Sequence, residues 1–111
     1  METNDFESLT LNIRAFARER DWETFHTPKN LAMAIAGEAG ELAAEFQWLT
    51  PEESEAKSLT PEQLEAIQME IADVQIYLLL LADRLGIEIP ASVLQKLKAN
   101  ELRFRVSEGG E

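Results

Sequence analysis

The chain contains no cysteine. That excludes a disulfide framework, a thiolate nucleophile and any cysteine-held metal. It contains one histidine and one tyrosine, so a site built from clustered imidazoles is excluded as well. Basic residues are scarce: 10 Lys and Arg stand against 21 Asp and Glu, a formal net charge of −11. Affinity for long nucleic acids comes from Lys and Arg neutralising phosphates, so a nucleic-acid polymer is not an expected partner. Long apolar runs are missing too. The most apolar stretch, Val74 to Ala82, is interrupted by Gln75 and falls far short of the roughly 20 residues a membrane helix needs. The opening METNDFESL has neither the basic stretch nor the apolar core of a secretory signal. The expectation is a cytoplasmic protein with no membrane partner. Strand-type alternation is absent, and no segment repeats.

What is present is a chain of 111 residues, 45% hydrophobic, enough for one folded domain with a core. Residues 1–111 are read as a single all-α domain with frayed ends at 1–4 and 106–111. A first helix is expected from Asp5 to Arg20. Thr27-Pro28 starts a second, with a capping side chain followed by proline in the first turn. It should run to about Leu49, stopping before Pro51. Pro51 to Leu59 is an acidic loop or short helix. Thr60-Pro61-Glu62-Gln63 starts a third helix with Gln63 placed for a capping box. Gly86 should end it. Ile89-Pro90 opens a fourth, reaching about Phe104. The expected protomer resembles a four-helix bundle.

Periodicity divides the second and third helices into lines. Ile35, Ala39, Leu42, Phe46 and Leu49 form one apolar line on the second helix. Ala34, Glu38, Glu41, Glu45 and Trp48 form another, about 100° away. The third helix repeats the pattern. Ile67, Ile71, Val74, Leu78, Leu81 and Leu85 form its apolar line, and Glu70, Asp73 and Tyr77 lie one residue earlier. Two antiparallel helices of this kind can face their carboxylates across one cleft. Ile76, Leu79 and Leu80 make the third helix apolar nearly all round, which points to a homo-oligomer with that helix at an interface.

The carboxylates come in pairs, Glu38-x-x-Glu41 and Glu70-x-x-Asp73. On a helix, residues at i and i+3 have Cβ atoms about 5–6 Å apart, and like charges there repel. A hard divalent cation, Mg²⁺ or Mn²⁺, relieves that repulsion and prefers oxygen ligands. One such pair alone says little, since glutamate is common on helices. Two pairs beside apolar lines say more. Gly37 and Gly40, each just before a glutamate, cost about 1 kcal/mol apiece against alanine in a helix. They suggest close helix approach or room for a metal or phosphate. Four of the ten basic residues, among them Lys96 and Arg103, lie in the last sixteen positions. Lys96, Asn100 and Arg103 make a line suited to a polyphosphate. Trp22, Trp48 and Tyr77 are open to two readings, packing or contact with a base. His26 read alone is a loop histidine.

Taken together, these stretches resemble the MazG-like all-α nucleoside triphosphate pyrophosphohydrolases. The nearest likeness is to the dCTP pyrophosphatase branch of that family. RERDWETFHTPKNLAMAIAGEAGELAAEFQW and EIADVQIYLLLLADRLGIEIPASVLQKLKAN carry the resemblance, which spans roughly residues 14–105. The paired acidic motifs are separated by twenty-eight residues. The resemblance implies that Glu38, Glu41, Glu70 and Asp73 hold Mg²⁺. It implies that Trp22 and Trp48 wall a base and sugar pocket with His26 at its mouth. Tyr77 would touch the sugar or phosphate. Lys96 and Asn100 would reach the phosphates from a neighbouring subunit of a dimer or tetramer. One position departs from the pattern: Ile13 stands where the dCTP branch carries a histidine.

The function these implications describe is Mg²⁺-dependent hydrolysis of a dNTP, dCTP or a 5-modified dCTP, to the monophosphate and pyrophosphate, with Glu41 or Glu45 as general base. The purpose implied is sanitation of the nucleotide pool. Other readings are a relative acting on dUTP, other NTPs or phosphoribosyl-ATP, and a non-enzymatic acidic helical module. A metal buffer is disfavoured, because the alternating Asp/Asn pattern of calcium loops is absent.

Overall fold

In the computed structural model, residues 5–106 are described; of the ends expected to fray, 1–4 and 106–111, all but Val106 lie outside them. Four α-helices follow one another: α1 (Phe6–Glu19), α2 (Pro28–Ala44), α3 (Pro61–Leu85) and α4 (Ile89–Arg103). A short 3₁₀ turn, Ala56–Ser58, interrupts the acidic connector. No strand occurs among the described residues.

The starts follow the local chemistry of the sequence. Asp5 accepts from the Ser8 amide at 2.7 Å, and Thr27 accepts from the Asn30 amide at 3.2 Å. At α3 the capping box closes in both directions. The Gln63 amide donates to the Thr60 hydroxyl at 3.1 Å, and the Thr60 amide donates to the Gln63 side chain at 2.9 Å. Gly86, at φ +70°, ends α3. The Ile87 amide reaches back to the Ala82 carbonyl across it at 2.9 Å, the arrangement that caps helices through a left-handed residue.

α1 ends by the same device without glycine. Asp21 has φ +57°. The Asp21 amide donates to the Arg18 carbonyl at 3.1 Å and the Trp22 amide to the Ala17 carbonyl at 3.0 Å. The reversal folds Trp22 back on α1, its ring 5.6 Å from that of Phe16 and edge-on to it. α2 is shorter than expected. Past Ala44 the hydrogen bonds tighten to i→i−3: Phe46 to Ala43 at 3.0 Å and Leu49 to Phe46 at 3.0 Å. The chain to Leu49 is therefore a series of turns, not α-helix.

α3 is the central element. Ala17 of α1, Leu31 of α2 and Leu80 of α3 meet in the core, with Ile13, Tyr77 and Leu81 packed against them. Leu31 clusters with Leu80, and Glu38 and Glu41 approach Glu70. Residue numbers rise on one helix as they fall on the other, so α2 and α3 run antiparallel. Arg14 beside Asp83 and Ala17 beside Leu80 set α1 antiparallel to α3 in the same way.

The apolar line expected on α3 is rotated from the face that packs. On α3 the buried residues are Ile67, Leu79, Leu80 and Ala82, whereas Ile71 is 53% exposed and Leu78 and Leu85 are also exposed. On α2 and the turns after it the expected line is half-buried at Ile35, Leu42, Phe46 and Leu49 and exposed at Ala39, and buried Leu31 and half-buried Glu38 join that side. A period of 3.6 fixes that a helix has an apolar stripe; a nearly all-apolar helix such as α3 does not fix which stripe faces its neighbour. Of the α2 carboxylates, Glu38 is half-buried on the packed side and Glu41 is exposed. All four expected helices are present, and because α4 contributes no buried residue the buried core is drawn from α1, α2 and α3.

Candidate active site

Where α2 and α3 pass each other beyond the core, three carboxylates converge. Oxygen atoms of Glu38, Glu41 and Glu70 lie within 4.8 Å of one another. Glu38 and Glu70 are half-buried and Glu41 is exposed. Burial raises the Glu38 and Glu70 carboxyls above the ordinary value, and neighbouring Glu41 and Asp73 push both further. Glu45 adds to the effect on Glu70. The ion pairs among the described residues join Arg14 to Asp83, Arg18 to Glu23 and Arg20 to Glu19. None reaches this cluster.

The donor set fits a hard divalent cation. All the donors are carboxylate oxygens, which Mg²⁺ and Mn²⁺ prefer. Glu70 Oε1 is buried without a hydrogen-bond partner, a cost that a bound cation would remove. Asp73 stands apart from the three. It is exposed and close enough to raise both Glu38 and Glu70, yet it also lines a neighbouring cleft.

That cleft, about 390 Å³, is walled by α1, α3 and the turn after α1. Trp22, His26 and Tyr77 line it, so three of the expected contact residues come together. The rings form a series of edge-on neighbours. Trp22 lies 6.1 Å from His26, and His26 lies 6.5 Å from Tyr77. His26 is half-buried with its Nδ1 enclosed and unpartnered, so it is part of the wall rather than a group at the mouth. Trp48 lies elsewhere, 87% exposed on the turns after α2. Lys96 and Asn100, on α4, do not line the cleft. Gly37 and Gly40 are not held by packing in the protomer: a Cβ at either would meet nothing within 4 Å.

Several contributors escaped the sequence reading. Asn12 and Phe16 line the cleft from α1; their i, i+4 spacing is the signal that could have revealed them. Arg84 holds the turn that carries the rings. Its Nη1 donates to the Glu23 carbonyl at 3.0 Å and to the His26 carbonyl at 2.7 Å. Asn30 holds the same turn through the Phe25 carbonyl at 3.0 Å. No short-range pattern marks Arg84, since its partners are 58 and 61 residues away. A second cleft, about 500 Å³, lies near Leu11, Arg14, Asp83 and Ile89. Asp83 is ten residues beyond Asp73, about 15 Å along α3, and the carboxylate cluster does not border this cleft.

Fold and site together define an all-helical protein with an acidic, divalent-metal type of cluster set between two antiparallel helices, beside an aromatic cleft. The chain belongs to the MazG-like family, whose sequence profile matches residues 33–111. It is 47% identical over 89 residues to the human (Homo sapiens) dCTP pyrophosphatase 1, covering 80% of this chain and 52% of that protein. It is 46% identical over 91 residues to the Bos taurus dCTP pyrophosphatase 1, covering 82% of this chain and 54% of that one. The chain thus spans about half the length of the curated relatives it matches. A pyrophosphatase crystal structure from Archaeoglobus fulgidus superposes with a TM-score of 0.83 at 36% identity, over 95% of this chain and 96% of that one. No helix among the described residues is long and apolar enough to cross a membrane.

Proposed function

We propose that the protein hydrolyses a deoxynucleoside triphosphate, dCTP or a 5-modified dCTP, to the monophosphate and pyrophosphate in a Mg²⁺-dependent reaction. The observation that carries this reading is the continuity of the site. Asp73 belongs electrostatically to the carboxylate cluster and sterically to the aromatic cleft. A nucleotide has the same two halves, a polyanion that needs a cation and a flat ring that needs apolar walls. The dCTP pyrophosphatase 1 relatives and the archaeal pyrophosphatase support the same assignment.

Glu38, Glu41, Glu70 and Asp73 would hold the cation. A bound Mg²⁺ supplies charge neutralisation for the phosphate oxygens and makes water a better nucleophile. The residues of the chain do the rest. Trp22, His26 and Tyr77 hold the nucleoside half against the wall of the cleft. Glu41 or Glu45 takes the proton of the attacking water. The new oxygen–phosphorus bond forms at the α-phosphorus as the bond to the β-phosphate oxygen breaks, and pyrophosphate leaves. Fixed positions and fixed charges account for the rate.

The assembly belongs to the same proposal. Among the described residues Leu31 is the one large side chain that is completely buried, and Leu94 and Leu97 of α4 and Phe104 just after it are exposed. Covering these faces with further copies, as a dimer or a dimer of dimers, would supply the missing core. It would also bring Lys96 and Asn100 to a neighbour's phosphates and Trp48 to its base and sugar pocket. Mn²⁺ would substitute for Mg²⁺, and pool sanitation in the cytoplasm is the role we assign. Asp73→Asn tests the reading: turnover should collapse with helicity unchanged, and wild-type turnover from that variant would contradict it.

A further inference from the structure

We infer that Asn12 reads the edge of the base, and that the cleft therefore accepts cytosine and uracil nucleotides alike. The inference rests on the proposed function. Asn12, Ile13, Phe16 and Ala17 line the cleft from one side of α1. Asn12 and Phe16 are one turn apart, and Phe16 meets Trp22 edge-on at 5.6 Å. Asn12 thus borders the ring series against which a base would lie. Ile13, beside it, offers no hydrogen bond. Asp73 is committed to the carboxylates, and His26 and Tyr77 stand ring to ring in the wall. Asn12 is the neutral amide of the lining, and it carries both donors and an acceptor.

The chemistry of an amide sets the specificity. Cytosine presents an amino donor next to a ring-nitrogen acceptor. Uracil presents a carbonyl acceptor next to a ring N–H donor. Rotating the Asn12 amide by half a turn exchanges its oxygen and nitrogen, so one side chain matches either edge. Asn12 is exposed, so neighbouring packing does not fix one orientation. A carboxylate at the same place only accepts: it takes the cytosine amino group or the uracil ring N–H but repels the acceptor beside either, so it forfeits half of the match to both bases.

The test compares dCTP and dUTP by kcat/KM, reading pyrophosphate release, for the wild type, Asn12→Asp and Asn12→Leu. The wild type should turn over the two within about ten-fold of each other. Asn12→Asp should lower kcat/KM for both by about ten-fold or more and leave their ratio near the wild-type value. Asn12→Leu should slow both and leave the ratio near the wild-type value. Asn12→Asp and Asn12→Leu variants that keep kcat/KM within two-fold of wild type on both nucleotides overturn the assignment while leaving the pyrophosphohydrolase reading intact. A wild type that releases pyrophosphate from neither nucleotide, nor from any other dNTP, defeats the reading of the site itself, and the role of Asn12 with it.

Discussion

Arg84 donates to the His26 carbonyl at 2.7 Å across 58 residues of chain. The same nitrogen serves Glu23, so one guanidinium from α3 fixes the turn that presents Trp22 and His26. Its partners are backbone atoms, and its effect on a ligand is through the position of the rings. Arg84→Met should raise KM for the nucleotide by about ten-fold with a smaller change in kcat, because it loosens binding rather than the reacting end. Steady-state kinetics with helicity monitored separates this from unfolding. An unchanged KM would show that the turn holds its shape without the clamp.

The pair of Arg14 and Asp83 bears on acid stability. The Arg14 guanidinium donates twice to Asp83, at 2.9 Å and 2.6 Å, and holds its carboxyl below the ordinary value. A depressed carboxyl stabilises the fold above its unfolded pKa and loses that contribution as pH falls through the folded pKa. Asp83→Asn should cost about 1–2 kcal/mol at pH 7 and flatten part of the acid limb below pH ~4. Urea unfolding at pH 7 and pH 3.5 checks both.

Glu38 and Glu70 work in the opposite direction. Their carboxyls are raised from the ordinary 4.5. Stability from such groups is fully present below that value and is lost as pH rises through the folded pKa. Metal-free protein should therefore be strained at neutral pH. In EDTA at pH 7, Glu70→Gln should resist urea better than wild type. In Mg²⁺ the order should reverse, because the variant forfeits the stabilisation a bound cation provides. A variant less stable than wild type in EDTA would mean that Glu70 already has a favourable partner.

The turn after α1 gives a prediction free of catalysis. Asp21 sits at φ +57°, where glycine pays no steric penalty. Asp21→Gly should stabilise the protein by about 0.5–1 kcal/mol, and Asp21→Val should destabilise it by at least as much. Thermal melts of the two variants test the sign.

Much of this was legible in the sequence because it is local. The four helix starts, the capping box at Thr60 and the stop at Gly86 depend on residues within one turn. The carboxylate pairs were legible because i, i+3 spacing fixes one helix face. What was not legible depends on rotation or on distant partners. α3 is apolar nearly all round, so its packed side was misassigned. The end of α2 depends on a change of hydrogen-bond pitch that its residues do not announce. Asp73 pairs with Glu70 in sequence but points its role towards the aromatic cleft. Arg84 and the Arg14–Asp83 pair meet partners 58 to 69 residues away.

The most direct test of the account is product analysis from dCTP with purified protein, in Mg²⁺ and in EDTA, beside Glu38→Gln. Mg²⁺ should give equal amounts of dCMP and pyrophosphate, EDTA should give none, and the variant should lose at least about 100-fold. Release of inorganic phosphate with dCDP, or turnover that survives EDTA and Glu38→Gln alike, would contradict it.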